Sequence, residues 1–278
     1  MKKRIFITGG LGSIGSCVAE ELEKNEEYEV IRGTRGEGDG NKIIHVDYDD
    51  PLSFIEVLRN VHTVIHLAYY LMNDNFVSNH IDSCLKSAYN LYESARVNGV
   101  KRVIFGSSNH IFGFYKMDDH ITSNSPYRPD CNYAVSKVFV ENLGRYYSDR
   151  FGISVFNIRI GNFSHRYFGG NSKPLGERET YVWLSNPDCQ QLFRKCVEHD
   201  EDCRYLQMFG MSNNTGCWFD TSDNEVIGYE PQSNGANFRG STGREMPPFE
   251  YVGGTSCYIN YDGSFDNGFI EVLKEGVI

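Results

Sequence analysis

The chain is predicted to belong to the α/β class: a doubly wound parallel sheet with helices on both faces, followed by a small covering unit. Three observations carry this. Short apolar runs alternate with helix-period segments through the first 160 residues, the pattern of strands buried on both faces. A glycine-rich turn, Gly9-Gly10-Leu11-Gly12-Ser13-Ile14-Gly15, follows the first run and opens the first helical segment. Beyond Asn162 the alternation stops, and Gly, Asn, Ser, Tyr and Phe dominate from Ser233 onward.

In chain order, residues 4–8, 29–32, 43–47, 63–67, 102–107 and 154–160 are the expected strands. Each is a short, mostly apolar run bounded by turn-forming or polar residues. Between them, 14–25, 51–60, 81–98 and 133–151 carry the helical period, as does 187–198 further on. The polar, Gly-rich stretch 33–41 is expected as an exposed loop at the carboxyl edge of the sheet. This divides the chain into 1–162, a dinucleotide-binding unit, and 163–278, a small substrate-covering unit with an irregular tail.

Bulk properties narrow the function. The 278 residues carry a formal net charge of -10, with 40% hydrophobic and 23% charged residues. An acidic chain lacks the electrostatic footprint of a nucleic-acid binder and is repelled by anionic membrane surfaces. The basic start, Met1-Lys2-Lys3-Arg4, leads into an apolar run that stops at Thr8, short of a signal peptide's apolar core. No stretch approaches the ~18 apolar residues of a membrane span. The eight cysteines form no CxxC pair and have no metal-spaced histidines near them. Reduced thiols, a cytoplasmic location and no metal are therefore expected.

The glycine turn supplies the first chemistry. Gly9 permits the tight turn, Gly12 lets backbone approach a pyrophosphate, and Gly15 allows close helix–strand packing. Amides of Ser13, Ile14 and Gly15 at the helix start then hold the phosphates. An NAD site usually places Asp or Glu after the second strand, yet here stand Arg32-Gly33-Thr34-Arg35. Arg35, with Arg32 beside it, suits the 2′-phosphate of NADP, so NADP is favoured over NAD. Asp47 and Tyr48 fall where an adenine contact would lie. Leu67, Ala68 and Ile160, at strand ends, complete the expected cofactor set.

Tyr133-Ala134-Val135-Ser136-Lys137 places a phenol and an ammonium on one helical face. A free tyrosine titrates near 10, so acting as a base at neutral pH needs about 4 kcal/mol of phenolate stabilisation. Lys137 and an oxidised nicotinamide ring are the expected sources. Ser108, in Gly106-Ser107-Ser108-Asn109-His110 after the fifth strand, can hold the reacting hydroxyl, with Asn109 and His110 as neighbouring substrate contacts.

Together these motifs resemble the extended short-chain dehydrogenase/reductase superfamily with its Rossmann fold. Ser107 to Tyr115, Arg128-Pro129-Asp130, Asn157 to Gly161 and Trp183-Leu184-Ser185 are most similar to uronate (hexuronate) dehydrogenases. Phe249 and Gly253-Gly254 echo that family's terminal segment. The resemblance implies Ser108, Tyr133 and Lys137 as the catalytic set, with Asn109 and Asn162 beside the sugar and nicotinamide. It implies Arg178, with Arg166 in reserve, as the anchor for a substrate carboxylate. The implied reaction is NAD(P)-dependent oxidation at C1 of a cyclic uronic acid, giving an aldarolactone, by a homo-oligomer assembled through helices such as the one carrying Tyr133. Sugar-phosphate dehydrogenase, nucleotide-sugar epimerase and non-catalytic dinucleotide-binding readings stand as alternatives. Three departures from the family pattern stand out: no acid follows the second strand, Cys84 replaces a helix asparagine, and Tyr69-Tyr70-Leu71-Met72 is bulkier than a hydroxyl-binding loop.

Overall fold

The computed structural model describes residues 2–70, 76–164, 175–199, 202–240 and 249–257. Seven parallel strands form one sheet in the order β3-β2-β1-β4-β5-β6-β9. They are β1 (Lys3–Thr8), β2 (Tyr28–Thr34), β3 (Ile43–His45), β4 (Thr63–His66), β5 (Arg102–Ser108), β6 (Ser154–Ile160) and β9 (Tyr205–Gly210). The order reverses beside β1, between β2 and β4, creating the crevice in which open α/β sheets bind ligands. A two-stranded ribbon pairs β7 (Asn162–Phe163) with β8 (Trp183–Leu184).

Helices cover both faces. On one side α1 (Ser13–Leu22) packs against α6 (Asn186–Glu198), and Arg194 bonds Glu21 across them at 3.2 Å. Their buried faces join Ile5, Ile7, Ile104, Phe156 and Met208 in one core. On the other side lie α2 (Pro51–Val57), α3 (Lys86–Asn98) and α4 (Asn132–Phe151), over Phe6, Val64, Phe105 and Val155. A π-helical segment, Phe76–Leu85, leads into α3. Beyond the carboxyl edge a third cluster gathers Ile111, Phe112, Val182, Trp218, Phe219 and Val252, near the short α5 (Glu177–Val182). At ~1.5–3 kcal/mol per fully buried large apolar side chain, the two face clusters supply most of the gross driving force.

Three expectations need correction. The sheet does not end at residue 162: β9, from the region assigned to the covering unit, is its last strand, and α6, from the same region, packs on α1 over its face. β9 escapes a sequence reading because it is six residues long and alternates weakly; its register is set by pairing with β6, Val155 against Tyr205 through Ile160 against Gly210. Gly33 lies inside β2 rather than in the loop, where a Cβ would come within 2.6 Å of the Phe6 ring. β3 stops at His45, two residues early, because Asp47 turns the chain by accepting the Asp49 amide at 2.9 Å. No helix among the described residues is long and apolar enough to cross a membrane.

Candidate active site

The glycine turn joins β1 to α1 with Gly9 at φ +64°, the left-handed region that favours glycine. A Cβ on Gly15 would come within 2.2 Å of the Gly9 carbonyl oxygen, so helix and turn could not close up. The Tyr48 hydroxyl accepts the Gly9 amide at 3.1 Å, and the Gly9 carbonyl accepts the Gly12 amide at 2.9 Å. Gly12 offers α1 no side-chain cap, which leaves the first-turn amides of Ser13, Ile14 and Gly15 to an anion.

A cavity of about 290 Å³ opens beside this turn. Gly9, Gly12, Arg35, Tyr48, Leu67 and Ala68, named above as expected cofactor contacts, line it. Thr34, Tyr69, Tyr70, Ser83, Cys84 and Ser87 also line it, and none of them was among those expected contacts. Tyr69 and Tyr70 stood out only as unusual bulk; their position over the cavity depends on how β4 ends against α3 and α4. Gly9 and Gly12 line this space beside the helix N-terminus, and a Cβ on Gly12 would meet only the Gly9 carbonyl oxygen, at 3.2 Å, so bare backbone faces the place where a dinucleotide's phosphates fit.

The two arginines separate. Arg32 is held by Glu23 through paired bonds of 3.1 and 2.9 Å, so it does not reach the cavity. Arg35 does: its Nη1 donates to the Tyr70 hydroxyl, and its guanidinium lies 4.5 Å from the Tyr70 ring centre. Asp47 is exposed and caps its own turn, outside the cavity lining. Its expected adenine contact has no support in this geometry, because the carboxylate already serves the Asp49 amide.

Ser108 ends β5 and caps the 3₁₀ turn Asn109–Phe112 by accepting the His110 amide at 3.2 Å. Tyr133 and Lys137 stand one turn apart at the start of α4. Ser108 is the hydrogen-bonding neighbour that lowers the Tyr133 pKa, and the Lys137 ammonium lies 5.4 Å from the Tyr133 ring centre. The Lys137 ammonium donates to the Gly106 carbonyl at 2.6 Å and sits 3.5 Å from the centre of the Tyr69 ring. The expected trio is thus brought together.

Its electrostatics differ from expectation. Burial raises the Tyr133 pKa, and the Ser108 hydrogen bond, not Lys137, is the group pulling it back. Burial also lowers Lys137 to about 7, opposed by Cys84 and Glu141. Lys137 spends its charge on Gly106 and on Tyr69, whose hydroxyl is in turn tied to Ser136 at 2.9 Å. Desolvation outweighs these partial compensations. Cys84 closes the arrangement: it is 3% exposed and accepts the Tyr70 amide at 3.5 Å.

Asn109 is buried beside Ser108, while Ile160 ends β6 and Asn162 pairs in β7. His110 Nδ1 lies 2.6 Å from Asp130 Oδ2. Arg178, on α5, donates from Nε to the Val252 carbonyl at 2.7 Å. Arg166 lies outside the described residues, as do Leu71, Met72 and the chain beyond Cys257.

A helix N-terminus without a side-chain cap, facing a crevice at the strand-order reversal, together with a Ser–Tyr–Lys cluster, defines a Rossmann-type dinucleotide-binding protein. The sequence pattern of the NAD dependent epimerase/dehydratase family matches residues 5–174, and the chain belongs to that family. It is 28% identical over 249 residues to uronate dehydrogenase from Pseudomonas syringae pv. tomato, covering 88% of this chain and 87% of that one. It is 30% identical over 250 residues to L-arabinose 1-dehydrogenase (NAD(P)(+)) from Haloferax volcanii, covering 84% and 98% respectively. A solved structure of a mutated uronate dehydrogenase superposes with a TM-score of 0.82 at 28% identity, covering 99% of both chains.

Proposed function

We propose that this protein is a uronate dehydrogenase: it oxidises C1 of a cyclic uronic acid of the galacturonate or glucuronate type and yields an aldarolactone. The carrying observation is the gathering of Ser108, Tyr133 and Lys137, with the Lys137 ammonium 5.4 Å from the Tyr133 ring centre and Ser108 lowering the phenol's pKa, at the edge that also holds His110 and Arg178. The relatives named above oxidise sugars by their names, and the chain spans nearly the whole of each.

The amides of Ser13, Ile14 and Gly15 hold the pyrophosphate, with Gly9 and Gly12 giving clearance. Tyr48, Leu67 and Ala68 line the cavity that would take the dinucleotide, Ile160 ends β6, and Lys137 would hold the nicotinamide ribose. When bound, the oxidised ring supplies the hydride acceptor. Ser108 steadies the anomeric oxygen while Tyr133 removes its proton. Burial keeps Tyr133 a phenol in the resting site, so the base forms only as a cation and the Ser108 bond offset desolvation. Arg178 meets the substrate carboxylate with a planar fork of donors, and Asn109, His110 and Asn162 contact the sugar hydroxyls.

The cofactor is NAD(P), and we favour NADP over NAD. β2 ends in Thr34 with no acid to take a ribose 2′-hydroxyl, and Arg35 lines the cavity at that point. We further infer a homodimer through α3 and α4, which leave Tyr89, Val97, Val135, Phe139, Tyr146 and Phe151 exposed. Eight free thiols suit a cytoplasmic location.

The test follows reduced nicotinamide by absorbance, crossing NAD and NADP with galacturonate, glucuronate, glucose 6-phosphate, arabinose and a UDP-sugar. Turnover of a uronate is expected, and Tyr133→Phe should lower kcat by at least ~10²–10⁴ with cofactor affinity nearly unchanged. Turnover confined to a neutral or phosphorylated sugar would sink the substrate assignment.

A further inference from the structure

Asp130 sits just before α4 and takes no part in the chemistry described above, yet it is almost fully buried, at 3% exposure. Its Oδ2 lies 2.6 Å from His110 Nδ1. A carboxylate in that position accepts, so Nδ1 carries a proton, and in the neutral ring Nε2 then keeps the lone pair. Two glycines hold the carboxylate in place. A Cβ on Gly113 would stand 1.9 Å from Oδ2, and a Cβ on Gly253 would stand 2.1 Å from it. Backbone from two separate segments therefore closes on one side chain.

The second of those segments leads directly to Arg178. Gly254, next to Gly253, packs so closely that a Cβ there would meet Arg178 Cδ at 2.7 Å. Val252, on the other side of Gly253, accepts from Arg178 Nε. Val252-Gly253-Gly254 thus lies between Asp130 and Arg178, touching both. Burial lowers the Arg178 pKa, and Asp130 is the strongest of the charges opposing that effect. Asp130 adds to the burial that raises the neighbouring Cys131 thiol's pKa, and Cys257 Sγ bonds the Gly113 carbonyl at 3.2 Å. His110, Asp130 and Cys131 offer three metal-type donor atoms within 4.8 Å of one another.

We propose that Asp130 is a positioning residue for the sugar site: it fixes His110 with Nε2 as a hydrogen-bond acceptor and seats the 252–254 segment that aims Arg178. His110 then receives a donor hydroxyl while Arg178 receives the carboxylate, so one buried anion aligns the two groups that distinguish a sugar acid from a neutral sugar. This rests on the uronate reading for its substrate consequence, but not for the state of the His110 ring.

The experiment therefore has two parts. In the resting enzyme at roughly pH 8, above the ordinary histidine range, ¹⁵N NMR of the imidazoles should show His110 protonated on Nδ1. Asp130→Asn keeps an acceptor oxygen and should keep that tautomer, while Asp130→Ala should lose it. In kinetics with the uronate, Asp130→Ala should raise KM about 10-fold or more with kcat changed less than about threefold and cofactor Kd unchanged. These factors follow from losing one charge-assisted hydrogen bond at the sugar. Asp130→Asn should recover part of the KM. Gly253→Ala, which displaces the carboxylate without removing it, should reproduce the KM effect in a folded protein. Protonation of His110 on Nε2 in the wild type, or an unchanged KM in both Asp130→Ala and Gly253→Ala, overturns the proposal. If the wild type turns over no uronate, the substrate reading fails while the NMR result still decides the role of Asp130.

Discussion

Lys137 sets a stability cost against a binding function. Its ammonium is buried beside Tyr69 and Phe105, and its pKa falls from the ordinary 10.5 to about 7. Between those values the unfolded chain binds the proton and the folded chain does not, so folding stability rises with pH across that window. Below pH 7 the penalty is complete. Lys137→Met should therefore unfold at higher denaturant than wild type below pH 7, with the gap closing toward pH 10.5. Urea titrations at several pH values measure this, and a gap independent of pH would contradict it. Arg35 is the other telling residue. Arg35→Ala should weaken NADP binding by about 10–100-fold, the worth of a charge-assisted hydrogen bond, and leave NAD within about twofold. A wild type that binds NAD more tightly than NADP by titration calorimetry would refute the assignment of Arg35.

Among the elements, α4 and β6 are tied by a pair that no surface pattern announces. Glu141 and Arg159 are 0% and 1% exposed and bonded at 3.1 and 2.9 Å. Tyr127 and Gln207 also donate to the same carboxylate, at 2.8 and 3.1 Å. Removing the carboxylate strands a buried guanidinium, so Glu141→Ala should cost about 3–5 kcal/mol in equilibrium unfolding. A loss under about 1 kcal/mol would mean that water replaces the carboxylate. α4 begins at Tyr133 and Lys137 and contains Glu141 one further turn along, so the helix that presents the expected base is anchored to the sheet by this pair. At the glycine turn the same coupling operates by contact distance: Gly15→Ala would push α1 off the Gly9 carbonyl and weaken phosphate binding, measurable as a raised cofactor Kd.

Among the described residues, α3 and α4 carry a set of exposed apolar side chains. Val135, Phe139, Tyr146 and Phe151 emerge along α4 with exposures of 42–54%, and Tyr89 and Val97 emerge along α3. Apolar residues repeating on two adjacent helices suit the proposed homodimer, in which a second copy of this chain would meet the same surface across a two-fold axis. Phe139→Asp should convert a dimer to a monomer in sedimentation velocity while leaving the fold intact by circular dichroism. A wild type that sediments as a monomer at micromolar concentration would remove this reading.

The glycine turn, the Tyr133/Lys137 spacing, the Ser108 segment and all six expected strands to within two residues were legible because each is a local pattern. Period and glycine chemistry act over a few residues, and the alternation of strand and helix then leaves few topologies open. What lay beyond reach was every feature made by contact between distant positions. Glu23 rather than a phosphate claims Arg32, Tyr69 takes the charge of Lys137, and β9 completes the sheet by pairing with β6. Asp130 gathers His110, Gly113 and Gly253. Burial shifts both Tyr133 and Lys137. Pairing partners and desolvation are properties of the packed interior, and the folded chain alone determines them.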